Sequence, residues 1–509
     1  MAFDSNSLTS PRAALTSGWQ TVQQSIRRYP MAALLTLALA LRTYHLRSPI
    51  IGVHAWRQSD TAAMARNFSE NGFQFLYPQI DWGGSSPGFA ETEFPLYPYA
   101  VALIYRLLGV AEAYGRLLSI FCALIGIYFL YRLVALVLDR PIALWSAGCY
   151  AILPLNVFYS RTFQPESMVL AASIIGLYGF VHWQRQQQDR SLLLSAVFVT
   201  LACLIKVLPI IYVGLPLLFL AILQFKGRLF FQWRLWLYAA VVIGATALWY
   251  WHAHQIFLET GLSFGFWGNS NRYGWGDLTV WQFWGDIILR LAVRHFAVFG
   301  FILFCIGLFQ PRHAPQEYLF EVGLVAVLIT CMVAPTSSYI HEYYQLPFMI
   351  YAAPFMGKAW VNLMAGGALL TKRLLIAGCS LMIVTGTVIY GIDYMAREIP
   401  ERSAVYHLAG VVRQTTPADA RVVSVTGGDP NLLYLSHRKG WLISPAEVTP
   451  DVMQALSAAG AGYLVGSYEV VESYAPFTDD AQKAQINALV SEQLEAIVND
   501  DRVYVAPIP

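Results

Sequence analysis

The chain has 509 residues, of which 57% are hydrophobic, 14% aromatic and only 13% charged, with a formal net charge of +2. A mean hydropathy of +0.49 lies above the balance of soluble globular proteins and marks a polytopic membrane protein, while the near-neutral charge and the lack of any Lys/Arg-rich run exclude a nucleic-acid partner. Cys122, Cys149, Cys203, Cys305, Cys331 and Cys379 all fall in apolar segments without CxxC spacing, which excludes a zinc or disulfide framework and leaves them as small apolar fillers.

The first thirty residues are polar, with Arg27 and Arg28 just before an apolar run that begins at Met31 and lacks a small-residue cleavage site, so the run reads as a retained anchor. Segments near 30–47, 115–138, 141–158, 166–183, 191–206, 207–225, 234–252, 291–310, 318–335, 346–362 and 374–393 follow, about eleven spans of the roughly 20 residues that a bilayer requires. The stretch "FPLYPYAVALIYRLLGV" at 94–110 is ambiguous, since two prolines open it and Arg106 interrupts it. If it lies against the outer leaflet, every cytoplasmic connection is basic, including "RQQQDR" at 185–190 and "KGRLFFQWR" at 226–234; if it crosses, the positive-inside rule fails repeatedly. The expected topology therefore has the N-terminus inside, the C-terminus outside, long outer loops at 48–113 and 253–290, and short ones near 159–165 and 336–345.

The tail from 396 differs in texture. "ARVVSVTGG" reads as a strand ending in a glycine turn, "DPNLLYLSHRKG" as a helix and "GAGYLVGS" as a second strand, so residues 396–509 are expected to form a small soluble α/β domain. Its "GG" belongs to no GxGxxG or Walker pattern and reads as a tight turn. The expected fold class is an all-α polytopic membrane domain, 1–395, followed by this extracytoplasmic α/β domain.

On this topology polar groups collect on the outer side. Asp60, Glu91, Glu93, Glu166 and Glu342 supply carboxylates, and Arg57, Arg66, Arg161, Lys206, Arg272 and His341 supply donors. One arginine at a membrane boundary is explained by snorkelling; acids and bases converging from at least four loops suggest a site that binds an anion and moves a proton. Lys206 stands alone between two apolar runs, where it serves either as a boundary anchor or as a point charge for a phosphate. In "HEYYQLP" at 341–347, Tyr343 and Tyr344 suit an interfacial belt, while His341 and Glu342 add titratable groups that anchoring does not need.

These elements occur in a telling order: "W-x-x-x-D" from Trp56 to Asp60, "E-x-P" from Glu93 to Pro95, "R-x-x-x-P-E" from Arg161 to Glu166, the lone Lys206, then "Y-Q-L-P". The order resembles the GT-C glycosyltransferases, and more narrowly the branch of the bacterial aminoarabinose transferases and the protein O-mannosyltransferase relatives (glycosyltransferase family 39-like), over roughly residues 30–395. The resemblance implies an enzyme of the bacterial plasma membrane that takes a sugar from a polyprenyl-phosphate carrier and passes it to an extracytoplasmic acceptor, whether lipid, glycan or protein. It implies that Asp60 is the catalytic acid residue of the first outer loop and that Glu166 and Glu93 fill two further acidic positions; Phe94 replaces the lysine of the family's "E-K-P". His54 and Arg66 match no motif position and rank lower.

The chemistry fits those positions. Sugar transfer from a lipid phosphate needs a base near the acceptor hydroxyl, expected of Asp60, and positive groups on the leaving phosphate, expected of Arg57, Lys206 and Arg272, with Arg161, His341, Glu342, Tyr343 and Tyr344 completing the donor site. In-line displacement inverts the sugar carbon. No cofactor is expected, because the leaving group bears one phosphate and the second loop offers Arg272 without the histidine found beside the metal of some relatives. Two other readings remain at this point: a ligase moving a whole glycan from a polyprenyl diphosphate with a metal, and a secondary transporter, against which stand the absence of an internal repeat and the placement of charges at span ends.

Overall fold

The computed structural model describes residues 28–267, 274–469, 480–500 and 502–509. Helices dominate, and each of the eleven apolar segments falls on one or two of them. They are α1 (Pro30–Arg42), then, beyond the first outer loop with α2 (Ala55–Asn71) and α3 (Leu96–Leu108), α4 (Glu112–Val137), α5 (Arg140–Ile152), α6 (Glu166–Gln186), α7 (Asp189–Ile205), α8 (Gly214–Phe225), α9 (Trp233–Thr260), α10 (Trp281–Arg290), α11 (Phe299–Leu308), α12 (Leu319–Val333), α13 (Leu346–Ala365) and α14 (Leu369–Val388). Among the described residues six helices are long and apolar enough to cross a membrane, or seven if α10 and α11 count as one bent span. The multi-pass character expected from composition is present.

The helices form where the residues dictate. At 26 residues α4 is about 39 Å long, more than a hydrocarbon core, and it opens on Glu112 against the helix dipole. α5 starts at Asp139, whose carboxylate accepts the Ile142 N–H at 2.7 Å. Inside the bundle, small residues let backbones approach: Gly307 of α11 lies against the Phe355 carbonyl of α13, and Gly357 of α13 lies against Ser146 and the Ile142 carbonyl of α5. α3, on the ambiguous stretch, has 13 residues, which is too short to span; it buries Tyr97, Val101 and Tyr105 while exposing Leu103, Leu107 and Leu108.

Two local expectations change. The segment 291–310 is not one straight helix: after a π turn at Leu291–His295 the chain passes through Ala297 and Val298 at φ +49° and +61° and turns by 109° into α11. The connection expected at 253–290 is shorter, because α9 runs to Thr260 and α10 begins at Trp281.

In the tail, α15 (Ala404–Thr415) precedes a five-stranded sheet of order β2-β1-β3-β5-β4, with β1 Arg421–Val425, β2 Lys439–Leu442, β3 Tyr463–Ser467, β4 Val498–Asn499 and β5 Val503–Pro507. β1 pairs in parallel with β2 and β3, through crossovers that carry the helices Asn431–Ser436 and Pro450–Ala458, and β5 pairs antiparallel to β3. The tail buries Leu408, Leu432 and Leu433 in the same apolar cluster as Ala55, Ala62 and Ala63 of α2. Polar contacts extend that join: Arg66 pairs with Asp81 and donates to the Tyr434 carbonyl at 3.2 Å, the Gly440 N–H donates to the Asp81 carbonyl at 3.0 Å, and the Gly84 N–H donates to the Gly440 carbonyl at 2.8 Å. α2 is thus braced from the tail.

Candidate active site

The chain enters α2 through Gly52 at φ +89° and His54 at φ +55°, a left-handed conformation that costs a non-glycine residue energy and persists only where its surroundings hold it. One turn on, Arg57 donates to Glu93 at 2.6 Å and lies 3.7 Å from Glu166. Glu166 opens α6 and accepts from Lys206 at 2.6 Å. Lys206 caps α7 in an extended conformation before Pro209, so its ammonium turns back from the end of the span. Four charges from four segments therefore alternate in sign within one buried cluster.

The "HEYYQLP" loop covers this cluster. The ring of Tyr343 lies 4.9 Å from the Lys206 ammonium and 5.7 Å from the Arg57 guanidinium, and Tyr344 lies 5.4 Å from Lys206. His341 stacks on Tyr343 at 5.2 Å, and His54 meets both rings edge-on, at 5.3 Å from His341 and 5.2 Å from Tyr343. Glu342 faces the other way: it accepts from Tyr159 at 2.9 Å and from Tyr394, and lies 3.5 Å from Arg294. Arg57 Nε, Glu166 Oε2 and His341 Nδ1 are buried and make no hydrogen bond among the described residues, which leaves donors and an acceptor within the cluster for a ligand.

Other expected residues stand elsewhere. Asp60, on α2, is 2% exposed, and its carboxylate is tied to Trp82 Nε1 at 3.1 Å rather than to any member of the cluster. Burial holds it well above the usual carboxylate range, helped by the nearby Asp81 and Asp429 and opposed by the Trp82 hydrogen bond and by Arg57 one helical turn before it. Arg161 forks onto Glu398 with contacts of 3.1 and 2.7 Å, both side chains buried. Glu91 is spent on the second outer loop, accepting from Ser263 at 2.5 Å and from the amides of Gly265 and Phe266 at 3.1 and 2.6 Å. Arg272 lies outside the described residues. Phe94, where the family motif has lysine, packs its ring 5.0 Å from both Phe75 and Trp249. With Glu91, Glu93 and Glu166 each taken up by a cation or by amides, the carboxylates present do not fit a divalent ion, and among the described residues no three His, Cys, Asp or Glu side chains gather as a ligand set.

One cavity opens at the cluster and a larger groove lies beside it. One, of about 160 Å³, is lined by Glu93, Lys206, Tyr250, Phe266 and Tyr344. The other, of about 700 Å³, is an apolar groove between α7, α8 and α9 lined by Leu218, Ile222, Leu235, Tyr238 and Val242. Ile210 borders both, so the groove leads toward Lys206.

This architecture has counterparts. Residues 90–251, which carry Glu93, Glu166 and Lys206, match the dolichyl-phosphate-mannose-protein mannosyltransferase family. Nearly the whole chain superposes on ArnT from Cupriavidus metallidurans in the apo state, with a TM-score of 0.66 at 13% identity over 97% of this chain and 98% of that one. The fold is that of the GT-C glycosyltransferases. ArnT bound to undecaprenyl phosphate gives a TM-score of 0.65 at 12% identity, covering 94% of this chain and 98% of its own. The archaeal oligosaccharyltransferase AglB from Archaeoglobus fulgidus, in complex with an inhibitory peptide and a dolichol-phosphate, gives 0.56 at 12% identity over 87% of this chain and 70% of its own. At such identities the structural likeness speaks for the GT-C fold alone. No curated protein matches the chain by sequence. The resemblance drawn from the order of the loop motifs is borne out at the level of the fold: the chain has the GT-C fold, with several helices long and apolar enough to cross a membrane.

His54, which the motif order ranks low, is brought only by the fold against the rings of His341 and Tyr343.

Proposed function

We propose that the protein transfers a single sugar from a polyprenyl-phosphate donor to an acceptor on the extracytoplasmic side, with the eleven apolar segments as crossings, the N-terminus cytoplasmic and residues 396–509 an extracytoplasmic domain that braces α2. The observation that carries the reading is the cavity at Lys206, about 160 Å³, which shares Ile210 with an apolar groove of about 700 Å³. An isoprenoid chain suits such a groove, and the lysine and Arg57 suit the single phosphate at its end. Both cations are already balanced by Glu93 and Glu166, so an arriving phosphate competes for charge that the protein holds in place, and the developing negative charge on the leaving oxygen strengthens its claim. The likeness to ArnT bound to undecaprenyl phosphate supports the same donor class.

The test is binding of undecaprenyl phosphate and of undecaprenol to the purified full-length protein, followed by native mass spectrometry. The phosphate is expected to bind at least tenfold more tightly than the alcohol, and Lys206→Met is expected to lose roughly 1.5–3 kcal/mol of that preference, about the worth of a hydrogen bond to a charged group. Equal binding of phosphate and alcohol would sink the donor assignment. A ligase using a diphosphate and a metal predicts instead that EDTA abolishes transfer.

A further inference from the structure

We propose that one water molecule, held between Arg42, Asn156 and Glu166, joins Arg42 to the donor site, and that Arg42 is thereby a positioning residue for the phosphate, acting on Lys206 through Glu166. The proposal rests on the transferase reading above and deepens it.

Arg42 closes α1 and is 1% exposed, yet among the described residues no carboxylate lies within salt-bridge distance of it. Its direct partners are neutral: Nε donates to Ser160 Oγ at 2.5 Å, and Nη1 donates to the carbonyls of Ala38 and Ala151 at 2.9 and 3.0 Å. Nη2 makes no hydrogen bond among the described residues. A guanidinium taken out of water without an anion is costly, and neutral partners offset only part of that cost.

A small cavity lies beside it. It measures about 20 Å³ and is lined by Arg42, Asn156, Ser160 and Glu166 on its polar side and by Ala123 and Leu170 on its apolar side. Two buried acceptors among these residues are unpaired: Asn156 Oδ1, whose amide nitrogen donates to the Tyr150 carbonyl at 3.0 Å, and Glu166 Oε2. Glu166 divides its two oxygens. Lys206 at 2.6 Å and Arg57 at 3.7 Å both approach Oε1, which leaves Oε2 over.

The size admits one water, which needs about 10–15 Å³ and roughly two to four polar partners. The chemistry selects water as well. A cation there would face the guanidinium, and an anion would face two acceptors. Water satisfies all three groups, donating to Asn156 Oδ1 and Glu166 Oε2 and accepting from Arg42 Nη2. Such a bridge is nearly as favourable as a direct hydrogen bond.

The consequence falls on the donor. The two cations on Glu166 are those that hold the phosphate in the reading above, so a phosphate that draws them away strips a buried carboxylate of its partners. Arg42, through the water on the other oxygen, keeps a positive charge on Glu166 when that happens. Before it happens, the same contact weakens the hold of Glu166 on Lys206. Lys206 is thus released to the phosphate at lower cost. No loop motif contains Arg42, because it lies inside the first apolar run.

The test is binding of undecaprenyl phosphate and of undecaprenol to the full-length protein, read by native mass spectrometry well below the melting transition. Arg42→Gln is expected to weaken undecaprenyl phosphate about tenfold, the scale of one unit charge acting through a protein interior, while undecaprenol changes by less than about twofold. Arg42→Lys, which keeps the charge, is expected to recover most of that loss. In a Glu166→Gln protein, Arg42→Gln is expected to cost less than about twofold, because the carboxylate it acts through is gone. Equal weakening of phosphate and alcohol, an Arg42→Lys protein as weak as Arg42→Gln, or the full loss in the Glu166→Gln background overturns the proposal and leaves the donor reading intact. If Arg42→Gln does not fold, an electron cryomicroscopy map of the unsubstituted protein that resolves ordered water decides: one density within hydrogen-bond distance of Arg42, Asn156 Oδ1 and Glu166 Oε2 supports the bridge, and a dry cavity overturns it. If the unsubstituted protein binds the phosphate no better than the alcohol, the donor reading falls and the proposal with it.

Discussion

Arg161 was expected at the donor phosphate, and its surroundings predict something else. Its guanidinium forks onto Glu398 with both side chains no more than 3% exposed, and a further contact of 3.5 Å reaches the His45 carbonyl. Replacing Arg161 with Met strands a buried carboxylate, which costs about 3–5 kcal/mol when one member of such a pair is removed. At roughly 2 °C per kcal/mol for a large chain, the apparent unfolding temperature in detergent falls by about 6–10 °C, measured at one fixed scan rate because unfolding of a membrane protein is a rate as much as an equilibrium. The double substitution Arg161→Met with Glu398→Met removes both charges and recovers most of the loss. Undecaprenyl phosphate binding, assayed well below the transition, stays within twofold of the original in both proteins. An Arg161→Met protein with unaltered melting and weakened phosphate binding would refute the reasoning and return Arg161 to the donor.

Two further outcomes follow from single positions. Asp429, pushed up to about 6 by burial, has a folded value above its unfolded one, so its contribution is intact below about pH 4 and lost as pH rises through 6; Asp429→Asn, which keeps an acceptor for the Asn431 N–H, is expected to match the parent at pH 4 and to melt higher at pH 7, by the equivalent of roughly 3 kcal/mol. Gly307→Ala drives a methyl group into the Phe355 carbonyl and is expected to separate α11 from α13, lowering the melting temperature by several degrees, while Gly148→Ala, whose new methyl group meets no atom within 4 Å, leaves it unchanged.

The helices were legible because runs of apolar residues long enough to approach a membrane span admit few other structures, and strands β1 and β3 of the tail because short apolar runs ended in glycine turns, whereas Lys439 and Gly440 of β2 were read as the end of a helix and β4 and β5 were not read. The bend at 296–298 was not, since Ala297 and Val298 are ordinary helix residues and no glycine or proline marks the break. Lone charges in apolar flanks pointed to Lys206, Glu166 and Glu93, which the fold gathers. The same signal at Arg161 gave no hint of its partner Glu398, which lies 237 residues away and which no local pattern announces. Which polar residue of α2 faces the cavity was the hardest to read, because α2 is buried nearly all round and no apolar stripe marks one face.

That missing stripe also gives the tail a physical purpose. A helix carrying Arg57, Gln58, Asp60, Arg66 and Asn67 among small alanines cannot be held at a bilayer edge by hydrophobic burial on one face. Beside the alanines it buries against the tail, its far end is held by polar contacts: Asn67 and Arg66 meet Asp81, and the backbones of Asp81 and Gly84 clasp Gly440 at the edge of the tail's sheet. The loop so clasped also carries Trp82, the partner of Asp60. Asp60 is thereby tied to the loop that the tail clasps, so a change there also acts on the placement of α2, whose other end presents Arg57. Loosening the clasp at Gly440 and removing the Trp82–Asp60 bond should then act on the same quantity, the position of the N-terminal turn of α2, and their effects on transfer should be less than additive.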